Sequence, residues 1–192
     1  LQCIECAAGK FVEQPGSSAA SDCINCAAGK WSARVGSDST SYCIDCSEGK
    51  WVGTTGRTAA TDCIDCVAGR YLDLPGQTSA ANCKNCPAGT YVVTPGNTAL
   101  ANCIDCDAGK YLTSTGNDSP ADCIDCAAGR YVATTGVTLS SACIGCAAGK
   151  FVVAPGSDDE NDCIVCPVGT YQASTGQTSC ADCAAGLYLD SV

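Results

Sequence analysis

A pair of cysteines three residues apart returns every 20 residues, and that period constrains the chain more than any other feature. A repeat of this length is read before any single motif, because one copy is too small to bury a core alone. Cys3, Cys23, Cys43, Cys63, Cys83, Cys103, Cys123, Cys143 and Cys163 each open a unit, and the second cysteine runs from Cys6 to Cys166. Eight units are 20 residues long without insertion; the ninth, from Cys163, has 17, and a tenth begins at Cys180 and Cys183. The expected organisation is one tandem array over residues 1–192, with both ends reading as cuts in a longer array. The missing three residues fall after Gly176, so that segment is expected to be a loop.

One clean copy reads CIDCVAGRYLDLPGQTSAAN, from Cys63 to Asn82. Its structural positions are Gly69, Tyr71 and Gly76, and each recurs. The first glycine is present in all ten copies, from Gly9 to Gly186, and an aromatic always follows two residues later. Tyr42 is the only aromatic elsewhere. The aromatic is expected to anchor a small core against a neighbouring disulfide or the next unit; an exposed sugar-binding ladder is the competing reading. Pro or Thr precedes the second glycine, apart from Val35, and Pro-Gly suits a type II turn in which glycine supplies the positive φ. No apolar 3.6-residue period survives between such closely spaced glycines, which excludes a helix-based core.

The covalent framework has to do unusual work. With 2 Phe, 2 Trp, 7 Tyr and no Met, the chain has few large side chains to bury, and the 46% hydrophobic share comes mostly from Ala and Cys. Ordering 20 residues costs on the order of 30 kcal/mol, while a large buried side chain returns only ~2–3 kcal/mol. Twenty cysteines in 192 residues supply the alternative, as staples or as metal ligands. The spacing between successive pairs also fits a four-cysteine zinc site. Against zinc stand the absence of His, the small basic content and a period of 20 residues where a two-by-two metal site requires 40. Disulfides are therefore favoured and no metal is expected.

If all units are equivalent, the first cysteine pairs within its own CxxC, with the preceding unit's second cysteine, or with the following one's. The second scheme is favoured because it closes each hairpin at its base and tolerates the shorter ninth unit. It gives Cys6–Cys23, Cys26–Cys43, Cys46–Cys63, Cys66–Cys83, Cys86–Cys103, Cys106–Cys123, Cys126–Cys143, Cys146–Cys163 and Cys166–Cys180, with Cys3 and Cys183 pairing outside the 192 residues. Each closed loop is worth about 3 kcal/mol in the chain-entropy description. Disulfides in this number imply an oxidising compartment, outside the cell or on its surface. The expected fold is an elongated tandem array of small disulfide-rich repeats, each a short irregular β-hairpin with little regular secondary structure.

The stretch CPVGTYQASTGQTSCADCAAGLY, through Cys166, Gly169, Tyr171, Gly176, Cys180 and Cys183, resembles the ephrin-receptor-like cysteine-rich repeat. That repeat is a relative of EGF-like and tumour-necrosis-factor-receptor-type modules. The other units resemble it by periodicity, and such long arrays are similar to those of algal and protist surface and flagellar-hair (mastigoneme) proteins. The resemblance implies a secreted multidomain protein. The strict spacing departs from receptor-type modules by three residues per unit.

The remaining motifs are weak. Asp22, Asp62, Asp122 and Asp162 precede the first cysteine, and Glu5, Asp45, Asp65, Asp105, Asp125 and Asp182 precede the second. Calcium needs six or more converging oxygens, so solvated acidic edges are the favoured reading, with Lys or Arg beside the aromatic as partners. Asn117-Asp118-Ser119 is the one N-glycosylation sequon, followed by Pro120, and Thr55, Thr115, Thr135 and Thr175 are candidate O-glycan positions. A net charge of −10 opposes nucleic acid and anionic membranes. No apolar run approaches the ~20 residues of a membrane span. Without His there is no imidazole base, and no phosphate loop or serine-nucleophile motif is present. A non-enzyme without cofactors is expected: a structural extracellular protein, a stiff disulfide-laddered rod in a filament, stalk or hair. Its partners would be copies of itself or other filament subunits. The alternative is an adhesive or receptor-type ectodomain that binds protein or carbohydrate.

Overall fold

A computed structural model describes residues 3–189. Among them the regular structure consists of two-residue strands and three-residue 3-10 turns, and no α-helix occurs. Nine two-stranded antiparallel hairpins form, each spanning a repeat boundary. In one of them Lys30 faces Asp45 and Trp31 faces Ile44; in another Arg70 faces Asn85 and Tyr71 faces Lys84. The fold class expected from the spacing, small disulfide-rich hairpin repeats, is the one observed.

Glycines set where the chain reverses. In the turn before each first strand the Lys30 N–H donates to the Ala27 carbonyl at 3.2 Å, around Gly29 at φ +82°. No residue other than glycine has positive φ among those described. The second bend is closed by a side chain. Ser37 Oγ donates to the Arg34 carbonyl, Asn117 Nδ2 to that of Ser114, and Ser157 Oγ to that of Ala154. The same is true of Asn97 and the Thr94 carbonyl. Each loop then returns through a 3-10 turn such as Ala60–Asp62 or Glu160–Asp162 into its closing cysteine. The ninth loop has no such turn among the described residues. The three deleted residues are thus the length of one 3-10 turn, removed from the segment after Gly176.

The core is a string of small clusters rather than one interior. Val52 packs with Cys46 and Cys63, Leu72 with Cys66 and Cys83, Leu112 with Cys106 and Cys123, and Val152 with Cys146 and Cys163. The buried residue is the one after the aromatic. Leu72 is 2% exposed, whereas Tyr71 is half-buried. The aromatics lie over the cluster of the following loop: Trp31 on Val52, Trp51 on Leu72, Tyr91 on Leu112 and Tyr131 on Val152. Residue types alone place the core at the aromatic. The alternation of a strand explains the difference, since adjacent side chains point to opposite faces and only one can face the bridge.

Two compact units emerge, Leu1–Asn85 with Val93–Asn102, and Cys86–Val92 with Cys103–Val192. No helix among the described residues is long and apolar enough to cross a membrane.

Candidate functional site

The feature that repeats most faithfully is the join between one stapled loop and the next. Disulfides link Cys6 to Cys23, Cys26 to Cys43, Cys46 to Cys63, Cys66 to Cys83 and Cys86 to Cys103. The series continues with Cys106–Cys123, Cys126–Cys143, Cys146–Cys163 and Cys166–Cys180. The first eight close a separation of 17 residues and the ninth a separation of 14. Cys3 is free and exposed, and Cys183 is free and half-buried.

From seven of the nine bridges the backbone makes the same four hydrogen bonds to the next loop. From the loop at Cys46 to that at Cys66, Gly49 N donates to the Leu72 carbonyl and Val52 N to that of Gln77. In return Gly76 N donates to the Cys46 carbonyl and Cys66 N to that of Gly49, all at 2.8–3.0 Å. The pattern recurs from Cys106 to Cys126 through Gly109, Leu112, Gly136 and Cys126. Short parallel bridges such as Trp51 with Gln77 and Tyr131 with Ser157 mark the same contact. Because these bonds join backbone groups, the side chains between them are free to vary.

Where a loop two further along lies over it, the first glycine is required twice over. A Cβ on Gly129, at φ +84°, would lie 2.2 Å from the Gly176 carbonyl oxygen, two loops further along. Gly49 meets the Gly96 carbonyl, and Gly109 that of Gly156, in the same way. The second glycine is covered from the other side by the residue before a second cysteine. A Cβ at Gly76 would be 2.6 Å from Asp45 Oδ1, and one at Gly156 2.9 Å from Asp125 Oδ1. Three successive loops therefore close on such a glycine pair. Sequence periodicity shows that these glycines recur; it carries no sign of the contact two repeats away.

The acidic residues divide into two tasks. Asp62 accepts the Thr58 and Ala59 backbone N–H groups at 2.9 and 3.0 Å, capping the 3-10 turn. These two bonds hold its carboxyl below the usual carboxylate range. Asp22 and Asp162 cap their own turns in the same way, and Asn102 does so with its amide oxygen. The acids before the second cysteine meet lysines across the hairpin: Lys30–Asp45 at 2.7 Å, and Lys50–Asp65 and Lys110–Asp125 at 2.5 Å. These pairs are more than a third exposed, so each contributes ~0–1 kcal/mol. Among the described residues no group of three or more Cys, Asp or Glu is placed to hold a metal ion.

Opposite the half-buried aromatics stand isoleucines. Ile44 faces Trp31, Ile64 faces Trp51, and Ile124 faces Tyr111, each close to half exposed. At Lys84 the pattern changes: its ammonium lies 5.8 Å from the Tyr71 ring centroid and 2.8 Å from Asp73. That ion pair raises the Lys84 ammonium above, and lowers the Asp73 carboxyl below, their ordinary values. A shallow cavity of about 300 Å³ is lined by Gly149, Lys150, Cys166, Tyr171, Gln172 and Leu189.

The candidate glycan positions differ in their surroundings. Thr55, Thr115, Thr135 and Thr175 are exposed at the bend before the second glycine. Thr55 Oγ1 accepts from Asn25 Nδ2 at 3.3 Å and Thr135 Oγ1 donates to Asp105 at 3.4 Å. Asn117 is half-buried. Its Nδ2 donates to the Ser114 carbonyl at 2.8 Å and its Oδ1 accepts from Ser114 Oγ at 2.9 Å. The Ser119 hydroxyl of that sequon accepts from Ala121 N at the start of a 3-10 turn.

A family model described as tyrosine-protein kinase ephrin type A/B receptor-like matches residues 156–192. No curated protein matches the chain. The match runs from the second bend of the eighth loop through the ninth loop and the residues after it, where the cysteine, glycine and aromatic positions are those of the other loops. With the nine bridges, it makes this chain a tandem array of cysteine-rich repeats carrying an ephrin-receptor-like segment at its end.

Proposed function

We propose that this is a structural extracellular protein, whose loops stack into a stiff, laddered part of a filament, stalk or hair. The observation that carries this reading is the uniformity of the join: four backbone hydrogen bonds, one bridge and one glycine contact, repeated with little dependence on the side chains between them. Repeats that add length make the same contacts at every step, whereas binding arrays usually vary by insertion on one face. Nine disulfides support an oxidising location outside the cell or on its surface. Residues 1–192 then act as one array, and the chain is read as non-catalytic. Its partners are copies of itself or other filament subunits. Cys3 and Cys183 occupy positions that are elsewhere always half of a bridge, and they are assigned partners outside these residues. Electron microscopy of the native material decides the matter: regular fibres are expected, and isolated monomers that retain a ligand would overturn the proposal.

A second reading, an adhesive or receptor-type ectodomain for protein or carbohydrate, is favoured by the half-exposed isoleucines beside aromatic rings and by the ephrin-receptor-like segment. The exposed Thr55, Thr115, Thr135 and Thr175 are further proposed to carry O-glycans. Asn117 is the weaker candidate, since its amide already closes a turn. An intact-protein mass that is unchanged by chemical deglycosylation would rule out both kinds of sugar.

A further inference from the structure

We infer that the disulfide ladder is a load path: tension applied to the two ends travels through the bridges and leaves the loops slack. The inference follows from the order in which the cysteines are joined. Each bridge links the second cysteine of one CxxC to the first cysteine of the next, as in Cys46–Cys63 followed by Cys66–Cys83. The shortest covalent route from Cys6 to Cys180 therefore crosses nine bridges with Cα–Cα spans of 5.6–5.8 Å. Between them lie eight links, such as Cys63 to Cys66, of three residues each. At ~3.5 Å per fully extended residue that route measures about 135 Å, whereas the same stretch without bridges extends to about 600 Å.

The consequence is mechanical. Everything between Cys46 and Cys63, including the strand Lys50–Trp51, both bends and the 3-10 turn, hangs beside the load path, while the partner strand Ile64–Asp65 lies in a link. Pulling can break the hydrogen bonds that join successive loops, yet no unfolded loop releases stored length. A tether built this way can lengthen no further than its covalent route when its non-covalent structure fails. One of the other symmetric schemes behaves differently. A bridge within each CxxC would leave every loop in the load path, and the chain would lengthen several-fold on unfolding. The position of the bridge thus accounts for how a chain with so little apolar core can carry load. This deepens the structural reading of the protein and rests on it.

The test is single-molecule force extension of the whole oxidised chain, held by handles fused at Leu1 and Val192. No lengthening step is expected up to bond rupture. Steps of roughly 50–55 Å, the length hidden in one 17-residue loop, would overturn the inference. Reduction with a water-soluble phosphine supplies the contrast. The phosphine gives two electrons to each bridge and becomes its oxide with oxygen from water, and two protons complete the thiols. Extension between Cys6 and Cys180 should then rise about four-fold. Insertions separate the two routes directly, with bridges mapped in each variant. Ten residues added between Thr134 and Thr135, in a loop, should leave the oxidised length unchanged. Ten added between Ile124 and Asp125, in a link, should add about 35 Å. Equal lengthening by both would overturn the load path even where micrographs show fibres, whereas monomeric native material would overturn only the filament reading.

Discussion

At the scale of single residues, the demands fall on glycine and on the position after the aromatic. Gly129 and Gly169 share the same backbone conformation, at φ +84° and +86°, but differ in surroundings. A Cβ at Gly129 meets the Gly176 carbonyl, which is held in place because Gly176 N donates to the Cys146 carbonyl at 2.8 Å. A Cβ at Gly169 meets nothing within 4 Å. Gly169→Ala should therefore cost only the left-handed backbone penalty, ~1–2 kcal/mol. Gly129→Ala adds a collision that only a shift of two loops relieves, and should cost several kcal/mol. Thermal unfolding of the oxidised variants measures the difference, and equal losses would show that the contact two repeats away carries no weight. Val52 and Leu72 make a related point. They are legible in the sequence as apolar residues after each aromatic, at a position that Ser32 and Gln172 also occupy. Composition draws attention to the larger aromatic instead, whose role is to cover the next loop.

At the scale of the element, a hairpin of two-residue strands is too small to stand on its own hydrogen bonds. It is held by the bridge at its base, in several loops by a side chain across its bend, and in four by a carboxylate over its 3-10 turn. The carboxylate makes this element sensitive to acid. Asp62 is held ionised by two backbone N–H groups, so its pKa in the folded chain lies below its unfolded value. Its contribution is complete above the ordinary carboxylate pKa of about 3.9 and is lost as pH falls through the folded value. Asp73, paired with Lys84, follows the same sign. Lys84 has the opposite one, with its contribution lost only as pH rises through a raised ammonium pKa. No His is present to titrate between these limits. Melting temperature should be flat from about pH 5 to 8 and fall below about pH 4. Carboxyl resonances should show Asp62 and Asp73 titrating below free aspartate. A transition near pH 6, or an Asp62 that titrates normally, would contradict this account.

At the scale of the whole molecule, the described residues form no large interior to fall back on, so the bridges decide whether the loops persist. Each closed loop restricts the unfolded chain by about 3 kcal/mol. The clusters at Val52, Leu72, Leu112 and Val152 are partly made of the cystines themselves. Complete reduction at neutral pH should abolish the hairpins in both units, with loss of amide protection at Gly49, Gly76, Gly109 and Gly136. Hydrogen exchange before and after reduction is the measurement. Retained protection would show that packing and hydrogen bonds suffice without sulfur.

Much of this is present in the order of residues. A CxxC every 20 residues, a glycine and an aromatic at fixed offsets, and too few large side chains to form a core leave little besides stapled hairpins. That inference needs only local spacing and the cost of ordering a short chain. What the sequence could not carry is the set of contacts between repeats. Gly129 against the Gly176 carbonyl, Asp45 over Gly76 and Trp31 over Val52 join positions 47, 31 and 21 residues apart. The first two separations arise only when three loops are stacked at once, and the third needs two. A pattern that recurs at the same positions in every copy also cannot reveal which of its neighbours it touches. Tertiary structure decided that, because backbone carbonyls and glycine Cα atoms leave no side-chain pattern by which their partners could be read.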